Sequence, residues 1–283
     1  MSLLQAIVLG LIQGLTEFLP ISSTAHLRVI PALLGWGDPG AAFTAVIQLG
    51  TLVAVLLYFR TDIIRLLHAV GNDLRAGRYG TSHDAKLAWM IAVGTLPVVI
   101  FGVAFQKYIK EDLRALQVVA LAAIGFALLL MLAEIQARHR ARNGDAGRDE
   151  ETIGWRDALL VGCFQAFALI PGASRSGVTI TAGLIAGLSR STAARFSFLL
   201  SLPAVFAAGI YEMYKDRAEV FASGNDVLAI VVASVVAGIV GYWSIAFLLA
   251  YLKKHTTYVF IVYRIVLGAS LLVLLERGVL NGN

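Results

Sequence analysis

Apolar residues run along this chain in long blocks separated by short polar ones, and six blocks have the length of a bilayer-crossing helix. Such a helix needs about 20 mostly apolar residues. The stretches near 41–59, 87–106, 115–135, 193–212, 227–251 and 258–276 meet that requirement. Two more apolar regions, about 3–35 and 156–187, are broken by proline and by polar runs, so that neither half of either makes a comfortable span. Each reads as a re-entrant helical hairpin, since non-helical backbone at membrane depth is tolerated only when buried in protein or lining a wet cavity. The pattern predicts an all-α, polytopic integral membrane bundle, with residues 1–283 forming a single membrane domain.

The two halves resemble each other. Gly10-Leu11-Ile12-Gln13-Gly14-Leu15 aligns with Gly162-Cys163-Phe164-Gln165-Ala166-Phe167, and a proline follows shortly after each glutamine. This divides the domain into repeat one (about 1–135), a linker (about 136–155) and repeat two (about 156–283). Each repeat holds one hairpin and three spans. An odd number of crossings turns the second repeat upside down relative to the first, an inverted repeat of the kind that builds a site from broken helices near the midplane.

Composition agrees with a membrane protein: 58% of residues are hydrophobic and only 14% charged, where a soluble domain carries about 25%. The net charge of +5 comes from basic residues at helix ends, which report membrane orientation rather than a nucleic-acid partner. If both hairpins return to the side they enter, fourteen of the 23 Lys and Arg residues fall on one face and six on the other. The richer face is then cytoplasmic, both termini lie outside, and the segments 60–86 and 136–155 are the long polar loops. The single Cys163 excludes an intramolecular disulfide and reads as a small packing residue. The opening residues lack the basic stretch of a cleavable signal peptide.

Chemistry concentrates in two polar runs, one per half. In the second, Pro171-Gly172 stops one helix and Ser174-Arg175-Ser176 opens the next, which continues through Thr179. A helix N-terminus offers unpaired N–H groups and partial positive charge. Hydroxyls add donors, and a guanidinium grips phosphate at two points. The run reads as a phosphate cradle, the simpler alternative being a Ser174 N-cap with Arg175 reaching for an interface. The first run carries reactive groups: Glu17, the hydroxyls of Ser22, Ser23 and Thr24, and His26, with Gln13 on the same helix face as Glu17. Carboxylate, hydroxyl and imidazole within ten residues suit a base or metal ligand, a nucleophile and an acid/base partner. Polar residues elsewhere invite structural roles: Arg264 inside the last span, Gln48 and Gln165 bonding hairpin carbonyls, and Glu134 and Glu212 reaching water at span ends.

The motif Gln13-x-x-x-Glu17, together with Pro171-Gly172-Ala173-Ser174-Arg175-Ser176-Gly177-Val178-Thr179, resembles the paired motifs of the bacterial undecaprenyl-diphosphate phosphatases of the bacitracin-resistance type. The stretches Glu17-Phe18-Leu19-Pro20-Ile21-Ser22-Ser23-Thr24-Ala25-His26 and Gln48-Leu49-Gly50 are similar to that family as well. The resemblance implies a polyprenyl diphosphate lipid as substrate, a Mg²⁺ or Ca²⁺ ion, and a reaction at the outer, periplasmic face of the bacterial inner membrane. On its terms Glu17, Ser23, His26 and Arg175 are catalytic, with Ser23 the favoured nucleophile. Ser22, Ser174, Arg175, Ser176 and Thr179 bind phosphate, and Glu17 with Gln13 holds the metal. Gln13 stands where many members carry a second glutamate, which leaves Glu17 as the main anionic ligand. A homodimer is compatible with a bundle of this size. The rival reading is a secondary transporter or lipid flippase with a midplane anion site, which inverted repeats also suit.

Overall fold

Ser2 opens the first helix by accepting from the Gln5 backbone N–H while the Gln5 side chain reaches back to the Ser2 N–H, a reciprocal cap that satisfies two otherwise orphaned donors. This helix, α1 (Leu3–Thr16), turns at Pro20 into α2 (Ser23–Leu34). At 1.5 Å per residue they are about 21 and 18 Å long, short of a hydrocarbon core of about 30 Å. The computed structural model describes residues 1–110, 112–217 and 224–280, apart from the side chains of residues 41, 110 and 112. Lys110, one of the six basic residues on the poorer face, therefore has its side chain outside the described set. The chain continues through α3 (Gly40–Tyr58), α4 (Arg60–Arg75), α5 (His83–Ala104), α6 (Gln106–Lys110) and α7 (Leu116–Arg142). The second half begins with another short pair, α8 (Trp155–Ala166) and α9 (Arg175–Ile185), and runs on through α10 (Arg190–Lys215), α11 (Gly224–Leu252) and α12 (Tyr258–Glu276).

Five of these helices (α5, α7, α10, α11 and α12) are long and apolar enough to cross a membrane. A sixth crossing arises if α3 is counted with α4, into which it bends by 76°. The protein is thus a polytopic helical membrane protein. The bend corrects the reading of 60–86 as a loop. Ile63, Leu66, Leu67, Val70 and Leu74 recur at helical spacing, so 60–75 forms an amphipathic helix. The linker is also more structured than a solvated segment. Arg140 donates to Leu184 O at 2.6 Å, and Arg148 donates to Ala186 O at 2.7 Å while pairing with Asp157. Two guanidinium groups thereby meet the last carbonyls of α9, where the helix dipole favours positive charge. Asp157 also raises the pKa of the Arg148 guanidinium, chiefly through that hydrogen bond. Cys163 is exposed on α8 rather than packed inside.

Corresponding helices of the two halves make corresponding contacts. α1 packs on α11 and α8 on α5, while α3 meets α10 and α7 meets α12. The first two contacts bring backbones together at glycine: a Cβ at Gly10 would lie 2.5 Å from Ala233 O, and one at Gly162 would lie 2.2 Å from Gly94 O. Only hydrogen fits there, the small-residue device by which helices associate in lipid.

Glu134 does not reach water. It is fully buried, receives two nitrogens of Arg190, and accepts from the Thr257 hydroxyl at 2.8 Å and the Thr257 N–H at 3.2 Å. One carboxylate thus ties α7, the start of α10 and the start of α12 together. Glu134→Ala leaves Arg190 with no counter-ion in that pocket. Breaking such a pair costs about 3–5 kcal/mol, so the variant should melt well below wild type in the same detergent.

Candidate functional site

The two hairpin turns are made by the same device. Ser22 (φ 73°) and Ser174 (φ 67°) are the two non-glycine residues with positive φ among the described residues. Each caps the helix that follows it: Ser22 Oγ accepts from Ala25 N–H at 3.4 Å and Ser174 Oγ from Gly177 N–H at 3.2 Å. Each also lies nine residues beyond the buried glutamine of its half, Gln13 or Gln165. A left-handed serine is strained, and such strain persists only where the surroundings over-determine it, most often at functional sites. The second turn also needs Gly172 (φ 96°), where a Cβ would sit 2.3 Å from Val119 O.

With the caps in this geometry, the residues just beyond them face one another. Arg175, the first residue of α9, donates to Glu17 Oε1 in a close ion pair and to Gln48 Oε1 at 3.2 Å. Glu17 Oε2 accepts from the Ser23 hydroxyl at 2.5 Å and from Gln13 Nε2 at 3.0 Å. The acid and the guanidinium, 158 residues apart in the chain, therefore meet in one place. They border a cleft of about 250 Å³ together with Ser23, Thr24, Gln48, Gln165 and Ser174. Ile109, Arg114 and Glu212 also line the cleft, so it reaches the ends of the spans that carry the fewer basic residues. Arg114 pairs there with Asp38, which Arg28 also holds.

Not every candidate reaches the cleft. His26 donates from Nδ1 to Ser22 O at 2.7 Å, which leaves Nε2 to accept from the Tyr263 hydroxyl at 2.6 Å. The ring stacks on Tyr263 and makes no bond to Ser23, whose hydroxyl donates to Glu17 instead. Ser22 is spent on its cap. Ser176 donates to Leu19 O at 3.1 Å, joining the two hairpins. Thr179 bonds Arg175 O and the Ser197 hydroxyl. These three hydroxyls hold the frame of the site and do not border the cleft. Arg264 is fully buried and donates to Gly172 O and Ala173 O, at 3.1 and 2.8 Å; it braces the second turn. The glutamines do not bond hairpin carbonyls: Gln48 accepts from Arg175, and both amide atoms of Gln165 lack a partner. Gln48 and Glu212 thus belong to the cleft, and Tyr263 orients His26. The available signal for Gln48 was a carboxamide in the middle of an apolar span, which is costly at membrane depth unless it has work to do.

Among the described residues, no three His, Cys, Asp or Glu side chains group to hold a metal. One observation does suit a hard divalent ion. Gln13 Oε1 is buried without a partner beside the Glu17 carboxylate. With its amide turned, Gln13 would add an oxygen beside that carboxylate, the kind of ligand a Mg²⁺ or Ca²⁺ takes together with phosphate and water.

A second cavity, of about 380 Å³, adjoins the first. Val99, Val103, Ala207 and Tyr211 line it, and Val98, Ile109, Leu169, Ala204, Ala208 and Glu212 are common to both. It is an apolar groove between α5 and α10 that runs into the polar cleft.

The match to the family of bacitracin resistance protein BacA covers residues 6–270. The chain belongs to this family. It is 56% identical over 280 residues to a protein of Chlorobium limicola named undecaprenyl-diphosphatase, with 99% of each chain covered. It is also 56% identical to the undecaprenyl-diphosphatase of Chlorobaculum tepidum, over 98% of this chain and 99% of the relative. The protein of that name from Prosthecochloris aestuarii is 57% identical over the same shares.

Gly172→Ala combines a disfavoured φ with a backbone clash at the turn that positions Ser174 and Arg175. It should destabilise the protein by more than about 1 kcal/mol, read as a lower melting temperature in detergent.

Proposed function

We propose that this chain is a membrane phosphatase that hydrolyses undecaprenyl diphosphate to undecaprenyl phosphate and phosphate. It thereby recycles the lipid carrier of cell-wall synthesis and confers resistance to bacitracin. The observation that carries this reading is the junction of a charged cleft with an apolar groove. The Glu17–Ser23–Arg175 cluster suits the diphosphate, and the α5–α10 groove suits the first units of a prenyl chain whose remainder stays in lipid. The names of relatives that align over nearly the whole chain support the same substrate.

The chemistry follows from the hydrogen bonds. Glu17 Oε2 accepts the Ser23 proton as Oγ attacks the terminal phosphorus. The bond from that phosphorus to the bridging oxygen breaks, and the prenyl monophosphate leaves. Glu17 hands that proton to the departing monophosphate and is a base once more. Water then attacks the phosphoserine, gives its proton to Glu17, and phosphate is released as the proton returns to Ser23 Oγ. Arg175 turns from Glu17 towards the phosphate oxygens and stabilises the charge that develops on them. Ser174 and the Thr24 hydroxyl add donors at the cleft wall. A divalent ion held by Glu17 and Gln13 would neutralise phosphate charge. Tyr263 and the Ser22 carbonyl keep His26 in one tautomer, which makes His26 a positioning residue for the first turn.

The cleft reaches the face poorer in Lys and Arg, which is the outer face by the positive-inside rule. We accordingly place the protein in the bacterial inner membrane with the site open to the periplasm.

Purified protein in detergent, given a prenyl diphosphate and Mg²⁺ or Ca²⁺, should release phosphate, and EDTA should stop the release. A carrier of anions would leave the diphosphate intact. Ser23→Ala should abolish turnover. Arg175→Ala should lower kcat by about a hundredfold to a thousandfold. It also leaves the buried Glu17 carboxylate without its counter-ion, so the melting temperature should fall too, and kcat is read well below the variant's own transition. Full activity in either folded variant would overturn the assignment of that residue.

A further inference from the structure

The least explained polar group in the molecule is the Gln165 side chain. The residue is fully buried, and neither Nε2 nor Oε1 has a hydrogen-bond partner. It nevertheless borders the cleft that contains Glu17, Ser23 and Arg175. A buried carboxamide without partners is destabilising, and a native structure keeps one where something else completes it.

Its counterpart shows what is missing. Gln13 occupies the same place in the first half, nine residues before the capping serine, and donates to Glu17 one helical turn on. The residue one turn beyond Gln165 is Leu169, which has no acceptor to offer. The Gln165 amide thus has no counterpart to the partner that Gln13 finds in Glu17. Leu169 also lines both the polar cleft and the apolar groove. Gln165 lies on the last turn of α8 and Leu169 ends the 3-10 turn Phe167–Leu169 that follows, so one short stretch of chain brings the buried amide to the cleft and a leucine to the groove. The Glu17–Ser23 pair belongs to the first hairpin across the cleft.

We propose that Gln165 is a substrate-binding residue whose Nε2–H donates to the prenyl-bearing phosphate, the half of the diphosphate that becomes the leaving group. This rests on the diphosphatase reading and extends it. The terminal phosphate belongs to Ser23 and Arg175, and the retained phosphate to Gln165. As the bridging bond breaks, negative charge moves onto that retained phosphate, and the Gln165 donor meets it there.

The test uses purified full-length protein, farnesyl diphosphate as substrate, and two inhibitors: farnesyl monophosphate, which occupies the leaving-group position, and inorganic phosphate, which occupies the terminal position. Wild type must first release phosphate from the substrate; failure at that step would refute the diphosphatase reading itself. Gln165→Leu removes the donor and keeps the approximate shape. It should lower kcat/KM about tenfold to a hundredfold, the range for one hydrogen bond to a charged group. It should also weaken inhibition by farnesyl monophosphate by a similar factor and leave inhibition by inorganic phosphate unchanged. Gln165→Glu covers the case in which Gln165→Leu fails to fold. Its carboxylate should repel the phosphate at neutral pH, and its activity relative to wild type should recover as the pH falls and the acid regains a proton to donate. Inhibition by both ligands within twofold of wild type, or equal weakening of both, overturns the proposal. So does a Gln165→Glu profile parallel to that of wild type.

Discussion

The contact between Glu17 and Arg175 is the joint on which the site depends. Neither charge is tolerable alone inside a membrane bundle, because desolvating an ion costs several kcal/mol. Together, with Ser23, Gln13 and Gln48 completing the hydrogen bonds, they are stable enough to stay within the fold. The pair also fixes the geometry of the chemistry. It ties the end of α1 to the start of α9, and so brings a carboxylate, a hydroxyl and a guanidinium to one cleft.

The frame around this joint is built to hold two interrupted helices without leaving their backbones exposed to lipid. Ser22 and Ser174 accept the helix-opening N–H groups. Ser176 bonds the carbonyl of Leu19, and Arg264 bonds those of Gly172 and Ala173. At the far end of α9, Arg140 and Arg148 take up the final carbonyls. The polar residues within the bundle divide by position. Those away from the cleft hold the frame, whereas Glu17, Ser23, Arg175 and Gln48 bond one another at the cleft itself.

Much of this was legible in the sequence, because lipid makes the rules severe. A 20-residue apolar block at membrane depth has few options besides a spanning helix, and the six blocks correspond to α3, α5, α7, α10, α11 and α12 within a few residues at most ends. The proline-broken regions gave short helices with polar turns, and Glu17, Ser23, Ser174 and Arg175 came to one cleft. What remained hidden was of two kinds. Direction was one: His26 lies one helical turn beyond Ser23, yet its ring turns towards Tyr263 from a helix that begins 232 residues later, and nothing local encodes that partner. Composition was the other. The polar residues of 60–75 mask the helical period of α4. The position of Glu134 near a span end disguised its burial with Arg190, because span ends do not reveal which neighbouring helix covers them.

The groove between α5 and α10 has a kinetic consequence. A ligand that arrives sideways, with most of its length dissolved among acyl chains, is never free in the aqueous phase. Encounter is then a diffusion problem in two dimensions. Saturation follows the mole fraction of carrier in one leaflet and not its bulk molarity. Adding inert lipid or detergent dilutes the reactants while every volume concentration stays the same. The working affinity of this site belongs jointly to the protein and to the sheet of lipid around it.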